Sequence, residues 1–334
     1  MNLGLSPELR NRMQNNMIDE IINTDKENLL EDTTFIVDID DKNTRIDKYL
    51  SDELVDVSRS RIQKLLDEGM ITVNNNKVKS NYKVAADDII NVHIPELVVP
   101  EIVPEDISLD IVYEDDDIIV INKPKGMVVH PAAGHYSGTL VNALMYHCRD
   151  NLSGINGVLR PGIVHRIDMN TTGVIVACKN DYAHNFIAQQ LSVHSITRKY
   201  YAIVHNQFNN TEGVVDAPIG RNPSDRKKMA VDKKNGKRAV THYRVLEQFG
   251  KFSYIECQLE TGRTHQIRVH MASIGHPLLG DDVYGSGKSP FNLCGQTLHA
   301  GVLGFIHPTT KEYVEYSADL PEYFQKVISR LRNS

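Results

Sequence analysis

The sequence of 334 residues predicts an α+β fold. Short, nearly continuous apolar runs are typical of buried strands, and they occur at 118–122, 174–178 and 200–204. Residues 254–259 alternate polar and apolar side chains, as expected of a half-buried strand. The predicted strands outnumber the predicted helices and do not alternate with them regularly, so a doubly wound sheet is disfavoured.

The composition is that of a folded globular protein. Hydrophobic residues make up 41% and charged residues 24%, which argues against collagen-like, coiled-coil and wholly disordered chains. No apolar stretch approaches the length of a membrane span and the N-terminus lacks the layout of a secretion signal, so we expect no membrane partner and a cytoplasmic location. The four cysteines are far apart and form no CxxC pair, so we expect reduced thiols and no metal site.

The net charge of −6 is unevenly distributed along the chain. Residues 1–41 carry a net charge of −7 and residues 96–117 carry −9, which leaves +10 for the remainder. The total charge therefore does not exclude a polyanionic partner, because two acidic segments mask a basic body.

The N-terminal part is predicted to be an extension followed by a small module. Residues 1–40 are polar and Asn-rich, so we expect them to be loosely held or to form a short amphipathic helix. In the module, at 41–95, Thr44 and Asp47 resemble a capping box that starts a first helix. A second helix is predicted from Ser58 to a left-handed end at Gly69. The apolar positions of the two helices are Ile46, Leu50, Leu54, Ile62, Leu65 and Leu66.

Short strands are predicted after these helices, at 71–73, near Val84 and at 89–94. Several bases accompany the second helix and the first strand, and from charge alone they could equally form a solvated face. However, the segments RIDKYL, SRSRIQKLLDEGMITVNNNKV and DDIINVHIP resemble the S4 RNA-binding domain over some fifty positions. The resemblance implies a small α/β module whose second helix and following strand contact the RNA backbone. We therefore expect RNA contacts from Arg59, Arg61, Lys64 and Lys77.

A larger domain is predicted at 111–330, after a semi-rigid, acidic, Pro-containing linker at 96–110. Its densest polar cluster, 160–173, lies immediately before the buried strand at 174–178, a common position for reactive groups. Asp168 is the only carboxylate in that cluster. Taken alone, such an Asp also fits a turn-capping residue or a surface ion pair.

A second cluster, TGRTHQIRVHM at 261–271, follows the strand at 254–259. Apolar residues at helical spacing predict a helix that carries Arg268 and is closed by Gly275. The alternative on spacing alone is a surface helix with solvated arginines. His265 and His270 are five residues apart and lack an HExxH pattern, so a metal pair is disfavoured.

A third stretch, 221–238, holds eight bases and two acids. It predicts a basic hairpin or loop that could follow RNA phosphates, and a solvated loop is the equal alternative. The candidate RNA-binding residues in it are Arg226, Lys227 and Lys228.

Taken together and in order, these clusters resemble the RluA/RluD family of ribosomal-RNA pseudouridine synthases. The motifs that carry the resemblance, between residues 111 and 323, are INGVLRPGIV, HRIDMNTTG, TRKYYAIV, PIGRN, RKKMAV, LETGRTHQIRVHMASIGHPLLGDDVYG and LHAGVLGF. Ile167 and Thr172 depart mildly from the family's usual Leu and Ser, and the N-terminal extension lies outside the family pattern.

The resemblance implies a catalytic domain built on a mixed, mostly antiparallel sheet, and an isomerisation of uridine that requires no cofactor. Asp168 would be the catalytic carboxylate, either attacking covalently or removing a ribose proton. Arg268 would keep it ionised, and Tyr200 would pack against the base. Arg166 would fill the space left by the flipped nucleotide. We further expect His165, Arg263 and Ile267 to bind substrate.

Three alternatives remain at the level of sequence. A transfer-RNA pseudouridine synthase of the same family differs only in its target, and ribosomal RNA is favoured by closeness to RluD-type members. A non-catalytic RNA-binding assembly factor is disfavoured because Asp168, Tyr200 and Arg268 occur together. A hydrolytic glycosidase or nuclease is disfavoured by the lone carboxylate and the absence of metal-ligand spacing. We expect a monomer, and the sequence leaves the target uridine open.

Overall fold

The computed structural model divides the chain into two compact units, one before residue 100 and one from residue 100 onward. The described residues are 33–54, 57–94, 102–131, 135–149, 151–155, 160–225, 228–285 and 291–333. No helix in these ranges combines the length and the apolar character that crossing a bilayer requires.

Within the described residues, the first unit packs two helices against four antiparallel strands. The helices are α1 (Ile46–Glu53) and α2 (Arg59–Glu68). The strands are β1 (Thr33–Ile36), β2 (Ile71–Val73), β3 (Asn76–Lys77) and β4 (Ile89–Val92), in the order β1-β4-β2-β3. One apolar face of each helix joins the sheet in a single core.

The second helix of the module forms as its sequence predicts. The Ser58 hydroxyl accepts the backbone N–H of Arg61 at the start of α2, and Gly69 ends it at φ +77°. Glycine is suited to this left-handed position because it has no Cβ. Ile62, Leu65 and Leu66 are buried as predicted.

The predicted capping box at the first helix is wrong. Arg45 precedes α1 and no side chain caps it. Asp47 instead accepts hydrogen bonds from the guanidinium groups of Arg45 and Arg59. A charged donor forms a stronger hydrogen bond with a carboxylate than a neutral backbone N–H does. The capping pattern predicts that Asp47 pairs with a nearby backbone N–H, whereas its observed partners are side chains.

The structure also places residues from Thr33 onward in the sheet, inside the segment that the sequence assigns to the extension. β1 pairs with β4 along its whole length, and a short 3-10 helix (Ile39–Asp41) leads from it towards α1. The four residues of β1, TTFI, are too few and lack the polar–apolar alternation that would predict a strand locally, and pairing with β4 stabilises the strand. Residues 1–32 lie outside the described residues.

The second unit is built on a mixed sheet of nine described strands, which confirms the predicted α+β class. The sheet strands are β5 (Ile111–Glu114), β6 (Ile118–Lys123), β7 (Thr172–Cys178), β8 (Thr197–His205), β9 (Glu212–Asp216), β12 (Val240–Phe249), β13 (Phe252–Leu259), β14 (Leu298–Ile306) and β15 (Tyr313–Ser317). Their order is β5-β6-β7-β14-β8-β13-β12-β9, with β15 beside β14. The β7–β14 pairing is parallel, whereas the other pairings in this sheet are antiparallel. The helices are α3 (Leu140–Cys148), α4 (Asp181–Ser192), α5 (Gln266–Ser273) and α6 (Glu322–Arg332).

The apolar runs in β6 and β7 are continuous because both faces of the sheet are covered there. On β6, Ile119 and Ile121 pack with α3, whereas Ile118 and Val120 pack with α4. All seven residues of β7 are buried. A strand covered on both faces loses the alternation of polar and apolar residues, which explains the continuous runs in the sequence.

Gly173 fixes the approach of β7 to β14 just beyond the Asp168 cluster. A Cβ at this glycine, which has φ +108°, would lie 2.1 Å from the carbonyl oxygen of Ala300. Only glycine permits both this backbone conformation and this contact. The glycine that closes the HRIDMNTTG motif thus serves the packing beneath the site.

The basic stretch at 221–238 includes part of a small hairpin. β10 (Ile219–Arg221) pairs antiparallel with β11 (Met229–Val231), apart from the main sheet. Lys228 Nζ lies 3.9 Å from Asp225 Oδ2. Arg226 and Lys227 lie outside the described residues.

Candidate active site

Two side chains one hundred residues apart meet at the centre of the second unit. The Arg268 Nη1 atom donates a hydrogen bond of 2.9 Å to Asp168 Oδ2. Asp168 lies in the loop before β7, and Arg268 lies in the first turn of α5. The side chain of Asp168 keeps 18% of its surface exposed, whereas that of Arg268 keeps 6%. Arg268 is therefore a nearly buried cation, and the carboxylate that it binds is partly exposed to an open space.

A second carboxylate, Asp281, fixes the guanidinium from behind. Its two oxygens accept hydrogen bonds from Arg268 Nε at 2.7 Å and Nη2 at 2.9 Å. The backbone N–H groups of Val283 and Tyr284 also donate to Asp281. Burial opposes the charge of Arg268, but the Asp281 hydrogen bonds and charge outweigh it and raise the pKa of Arg268. Because Asp281 occupies two donors in a fork, Nη1 is directed at Asp168.

The space beside Asp168 is a cleft of about 360 Å³, part of which is open to solvent. Six of the residues predicted from the sequence line it: Arg166, Asp168, Tyr200, Arg263, Ile267 and Arg268. Tyr200, on β8, is 9% exposed, and burial raises the pKa of its phenol. The phenol is therefore protonated at neutral pH. Ile267 is buried and supplies an apolar wall.

The helix that carries Arg268 is buried on all sides, so the surface-helix alternative is wrong. Gln266 Nε2 donates to Val240 O, and its Oε1 accepts from the Thr261 hydroxyl and the Arg263 backbone N–H. His270 bridges the Thr241 hydroxyl and the carbonyl oxygen of Ala217. These polar residues of the HQIRVH motif thus tie α5 to β12 and hold Arg268 in place.

His265 begins this helix in the left-handed conformation, at φ +56°. Its Nε2 lies 3.8 Å from Asp168 Oδ1, and its Nδ1 lies 2.8 Å from the Tyr284 hydroxyl. The Met229 N–H donates to the same hydroxyl, and in its hydrogen bond with His265 Nδ1 either group can be the donor. Burial lowers the pKa of His265. Backbone strain of this kind is held where the surroundings fix a functional geometry.

The structure does not bring His165 to the Asp168 cleft. Its Nε2 accepts the backbone N–H of Val176 at 3.1 Å, which requires an unprotonated nitrogen. Burial, together with the charge of Arg198, lowers the pKa of His165 to about 3. This hydrogen bond secures the loop against β7, and His165 lines a second cleft next to the first, so its substrate-binding role stays a prediction.

Sequence reasoning missed two residues that shape the site, Asp281 and Lys123. A signal for Asp281 existed, because Asp281 and Asp282 are the only acids between residues 261 and 310 and a buried arginine needs a counter-charge. Lys123 is fully buried, and its Nζ donates to the carbonyl oxygens of Pro124, Met127 and Met169. Burial lowers the pKa of Lys123 to about 7, although Asp168 opposes the shift. Its bond to Met169 O anchors the residue next to Asp168.

Comparison with known proteins identifies the family. The model of the RNA pseudouridylate synthase family matches residues 117–273, and the S4 domain model matches residues 44–90. The uncharacterized RNA pseudouridine synthase YlyB of Bacillus subtilis is 53% identical over 294 residues, covering 88% of this chain and 96% of that protein. The chain belongs to the RNA pseudouridine synthase family. It is thus an isomerase that acts on RNA and carries an S4 domain, as the sequence predicts.

Further relatives and solved structures agree with this assignment. The ribosomal large subunit pseudouridine synthase D of Zymomonas mobilis is 51% identical over 258 residues, covering 75% of this chain and 81% of that protein. The solved structure of human RNA pseudouridylate synthase domain containing 4 aligns with a TM-score of 0.52 at 28% identity, over 66% of this chain and 92% of that chain.

In the S4 domain of this pseudouridine synthase, the four predicted RNA-binding bases occupy different environments. Arg59 is half-exposed and bound to Asp47, and Arg61 is half-buried on the same helix. Lys64 forms an exposed pair with Glu68 at 3.5 Å, and Lys77 Nζ donates to the Glu68 carbonyl oxygen. Each keeps a cationic group near α2, and their RNA contacts stay a prediction.

One group of possible metal ligands lies in the pseudouridine synthase unit, away from the cleft lining. Glu114, His147 and Cys148 each place a ligand atom within 4.8 Å of the others. However, Lys179 Nζ already donates to Glu114 Oε1 at 2.9 Å, and His147 Nε2 lies 2.8 Å from Oε2. A cation would compete with the ammonium for the same carboxylate, so this group is explained as an ion-pair cluster.

Proposed function

We propose that this pseudouridine synthase isomerises uridines of large-subunit ribosomal RNA with Asp168 as its catalytic carboxylate. The target class is supported by the Zymomonas relative and by two Neisseria meningitidis relatives, 43% identical over 302 residues, that carry the name ribosomal large subunit pseudouridine synthase D. The observation that carries the catalytic part is the Arg268-bound Asp168 at the wall of an open cleft.

In the reaction, the C1′–N1 bond of uridine breaks and a C1′–C5 bond forms. The C5 proton leaves and N1 gains a proton, so the overall composition is unchanged. The other Asp168 oxygen, Oδ1, lies 3.8 Å from His265 Nε2, and both residues line the cleft. Oδ1 would meet a ribose bound in the cleft. It either attacks carbon covalently or removes a ribose proton. Arg268, fixed by Asp281, stabilises the anionic form in both routes.

Tyr200 forms the wall on which the uracil can stack, with a phenol that can donate a hydrogen bond. A uridine stacked within RNA cannot reach a carboxylate in such a cleft, so the nucleotide must flip out at a free-energy cost of a few kcal/mol. Arg166 is exposed at the same cleft and can occupy the place of the flipped base. Contacts of the S4 domain with the RNA backbone offset the cost.

The experiment compares wild type with Asp168→Asn on large-subunit ribosomal RNA and on transfer RNA transcripts. Pseudouridine is mapped by carbodiimide treatment and primer extension. We expect modification of the ribosomal RNA by wild type, none by the variant, and RNA affinity within a few-fold, because the change removes charge and little volume. Asp116→Asn, at an exposed carboxylate outside the cleft, is the matched control and should keep full activity.

Retained turnover in Asp168→Asn would reject the catalytic assignment. Modification of transfer RNA alone by wild type would reject the target class while leaving the chemistry intact. Binding of ribosomal RNA without isomerisation by wild type would favour an assembly factor.

A further inference from the structure

A second cleft adjoins the Asp168 cleft and shares part of its wall. The shared residues are Arg166, Tyr200, Leu259 and Arg263. This second cleft has about 1210 Å³ of space, part of it open to solvent, and its other lining residues are those at the end of α4 together with Val164, His165, His194, Arg198 and Gly262. The proposed chemistry does not use Arg198.

Arg198 is a buried cation without a counter-charge. It is 7% exposed, its Nη2 donates to the carbonyl oxygen of Glu260 at 3.0 Å, and its Nε has no hydrogen-bond partner among the described residues. Within the same residues, no carboxylate lies within ion-pair distance of it. Burial lowers the pKa of Arg198, but the group stays charged at neutral pH. An unpaired buried guanidinium destabilises the folded chain unless a ligand supplies the missing acceptor.

Gly262 leaves room for this guanidinium. A Cβ at this position would lie 2.5 Å from Arg198 Nη1. The backbone angle of Gly262 requires no glycine, since its φ lies outside the left-handed range. The residue therefore matters because it allows Arg198 to rest against the chain that leads to α5.

The rest of the second cleft favours an anion. Arg166 and Arg263 add two further guanidinium groups, and none of the described lining residues is Asp or Glu. The last carbonyl groups of α4 do not face the cleft as free acceptors, because the backbone N–H groups of 193, 194 and 195 already bond to them. The polar groups that remain are mainly hydrogen-bond donors.

We propose that this second cleft binds a phosphodiester group of the RNA next to the nucleotide held in the Asp168 cleft, with Arg198 as the buried donor. The inference rests on the proposed function, because it assumes that one RNA strand passes through both clefts. A guanidinium fork matches the geometry of a phosphate and gains strength where water is excluded. A fixed phosphate would set how far the flipped nucleotide enters.

The test is a methylphosphonate scan on the shortest ribosomal RNA segment that the full-length protein binds with full affinity. Each oligonucleotide carries one neutral methylphosphonate in place of a phosphodiester, and the Asp168→Asn background prevents turnover. Phosphates contacted by the S4 domain should also be sensitive, and we expect one further position, next to the flipped nucleotide, at which neutralisation weakens binding about tenfold. Arg198→Gln should weaken binding of unmodified RNA by a similar factor and show no further loss at that position.

A second readout is the salt dependence of binding. The slope of log Kd against log salt should fall by about 0.7 in Arg198→Gln, as expected for one lost phosphate contact on a single strand. Arg198→Lys should recover part of the slope, and Gly262→Ala should behave like Arg198→Gln because the added methyl displaces the guanidinium. Lys251→Gln, at an exposed lysine outside both clefts, is the control for loss of general charge.

Wild-type affinity and slope in Arg198→Gln, or equal losses for wild type and variant at every methylphosphonate, would overturn the proposal. If Arg198→Gln does not fold, Arg198→Lys and Gly262→Ala give the same comparison. The measurement reads binding alone, so absence of isomerisation in wild type counts against the proposed function and leaves the scan interpretable.

Discussion

Asp47 and Asp168 are both bound by arginine, and of these two aspartates only Asp168 is open to a reactant. Asp47, in the S4 domain, has no exposed side-chain surface, whereas Asp168 in the catalytic unit keeps 18% exposed. Arg45, Arg59 and Gln63 together donate five hydrogen bonds to Asp47. Within the described chain, Asp168 accepts one side-chain hydrogen bond, from Arg268.

The difference lies in how the donors are held. At Asp47 the aspartate is buried and its arginines are half-exposed, so the carboxylate organises the surface cations around it. At Asp168 the arginine is buried and Asp281 occupies two of its donors. A carboxylate has about four lone-pair sites, and filling them leaves none for chemistry. Because Asp281 occupies two of the other donors of Arg268, Asp168 receives one hydrogen bond from it, at Oδ2, and Oδ1 lies 3.8 Å from His265 Nε2.

The largest effect on this arrangement is expected from Asp281→Ala. It leaves Arg268 buried without its main counter-charge, and removing one partner of a buried pair destabilises by about 3–5 kcal/mol. Isomerisation should also be lost, because Nη1 is no longer directed at Asp168. Urea unfolding and the pseudouridine assay measure the two effects. Asp282→Ala, at the exposed neighbour, is the control, and similar behaviour of the two variants would contradict the role of Asp281.

Asp47→Asn and Asp168→Asn should have opposite consequences. We expect Asp47→Asn to lower the stability of the S4 domain by about 2 kcal/mol, since charged hydrogen bonds are lost in a buried place. Asp168→Asn should change stability by less than about 1 kcal/mol, because a single bond is altered. Hydrogen exchange of the α2 amides measures the stability change in Asp47→Asn, and exchange of the β7 amides measures the change in Asp168→Asn. Equal losses in the two variants would remove the distinction between them.

The stability contributed by Asp47 should depend on pH. The hydrogen bond from Arg45, with further ones from Gln63 and Arg59, outweighs burial and holds the pKa of Asp47 well below its usual range. The unfolded-state pKa is about 3.9, so this contribution is complete above that value and is lost as pH falls through the lower folded-state pKa. The stability difference between wild type and Asp47→Asn should therefore be constant near neutral pH and shrink in acid. A difference that grows on acidification would show the sign to be wrong.

The smallest effect is expected from Tyr284→Phe. The ring stays beside the Arg268 guanidinium, but the hydroxyl that bonds to His265 and Met229 is lost. We expect the free energy of unfolding to fall by about 1 kcal/mol. Isomerisation should slow several-fold as His265 loses its fixed orientation near Asp168. Steady-state kinetics with Tyr146→Phe, at an exposed tyrosine, provide the comparison. Unchanged kinetics in Tyr284→Phe would exclude this hydroxyl from positioning the site.

Much of the fold could be predicted because its signals are local. The buried strands at 118–122 and 174–178, and the end of α2 at Gly69, follow from runs of apolar residues and from the conformational freedom of glycine. The strand β1 and the environment of Asp47 could not be predicted, because each depends on partners that are distant in the sequence. Local capping rules consider only the nearest backbone groups and so misassigned Asp47.

The sequence by itself determined the α+β class, the S4 module and the motifs that contain Asp168, Tyr200 and Arg268. Only the tertiary structure decided that α5 is buried on all sides, that His165 bonds to β7, and that Asp281 holds Arg268 from behind. The physical reason is that periodicity and turn residues act over a few neighbours. The state of a charged group depends on which donors and how much water surround it, and those are set by segments that meet only when the sheet is complete.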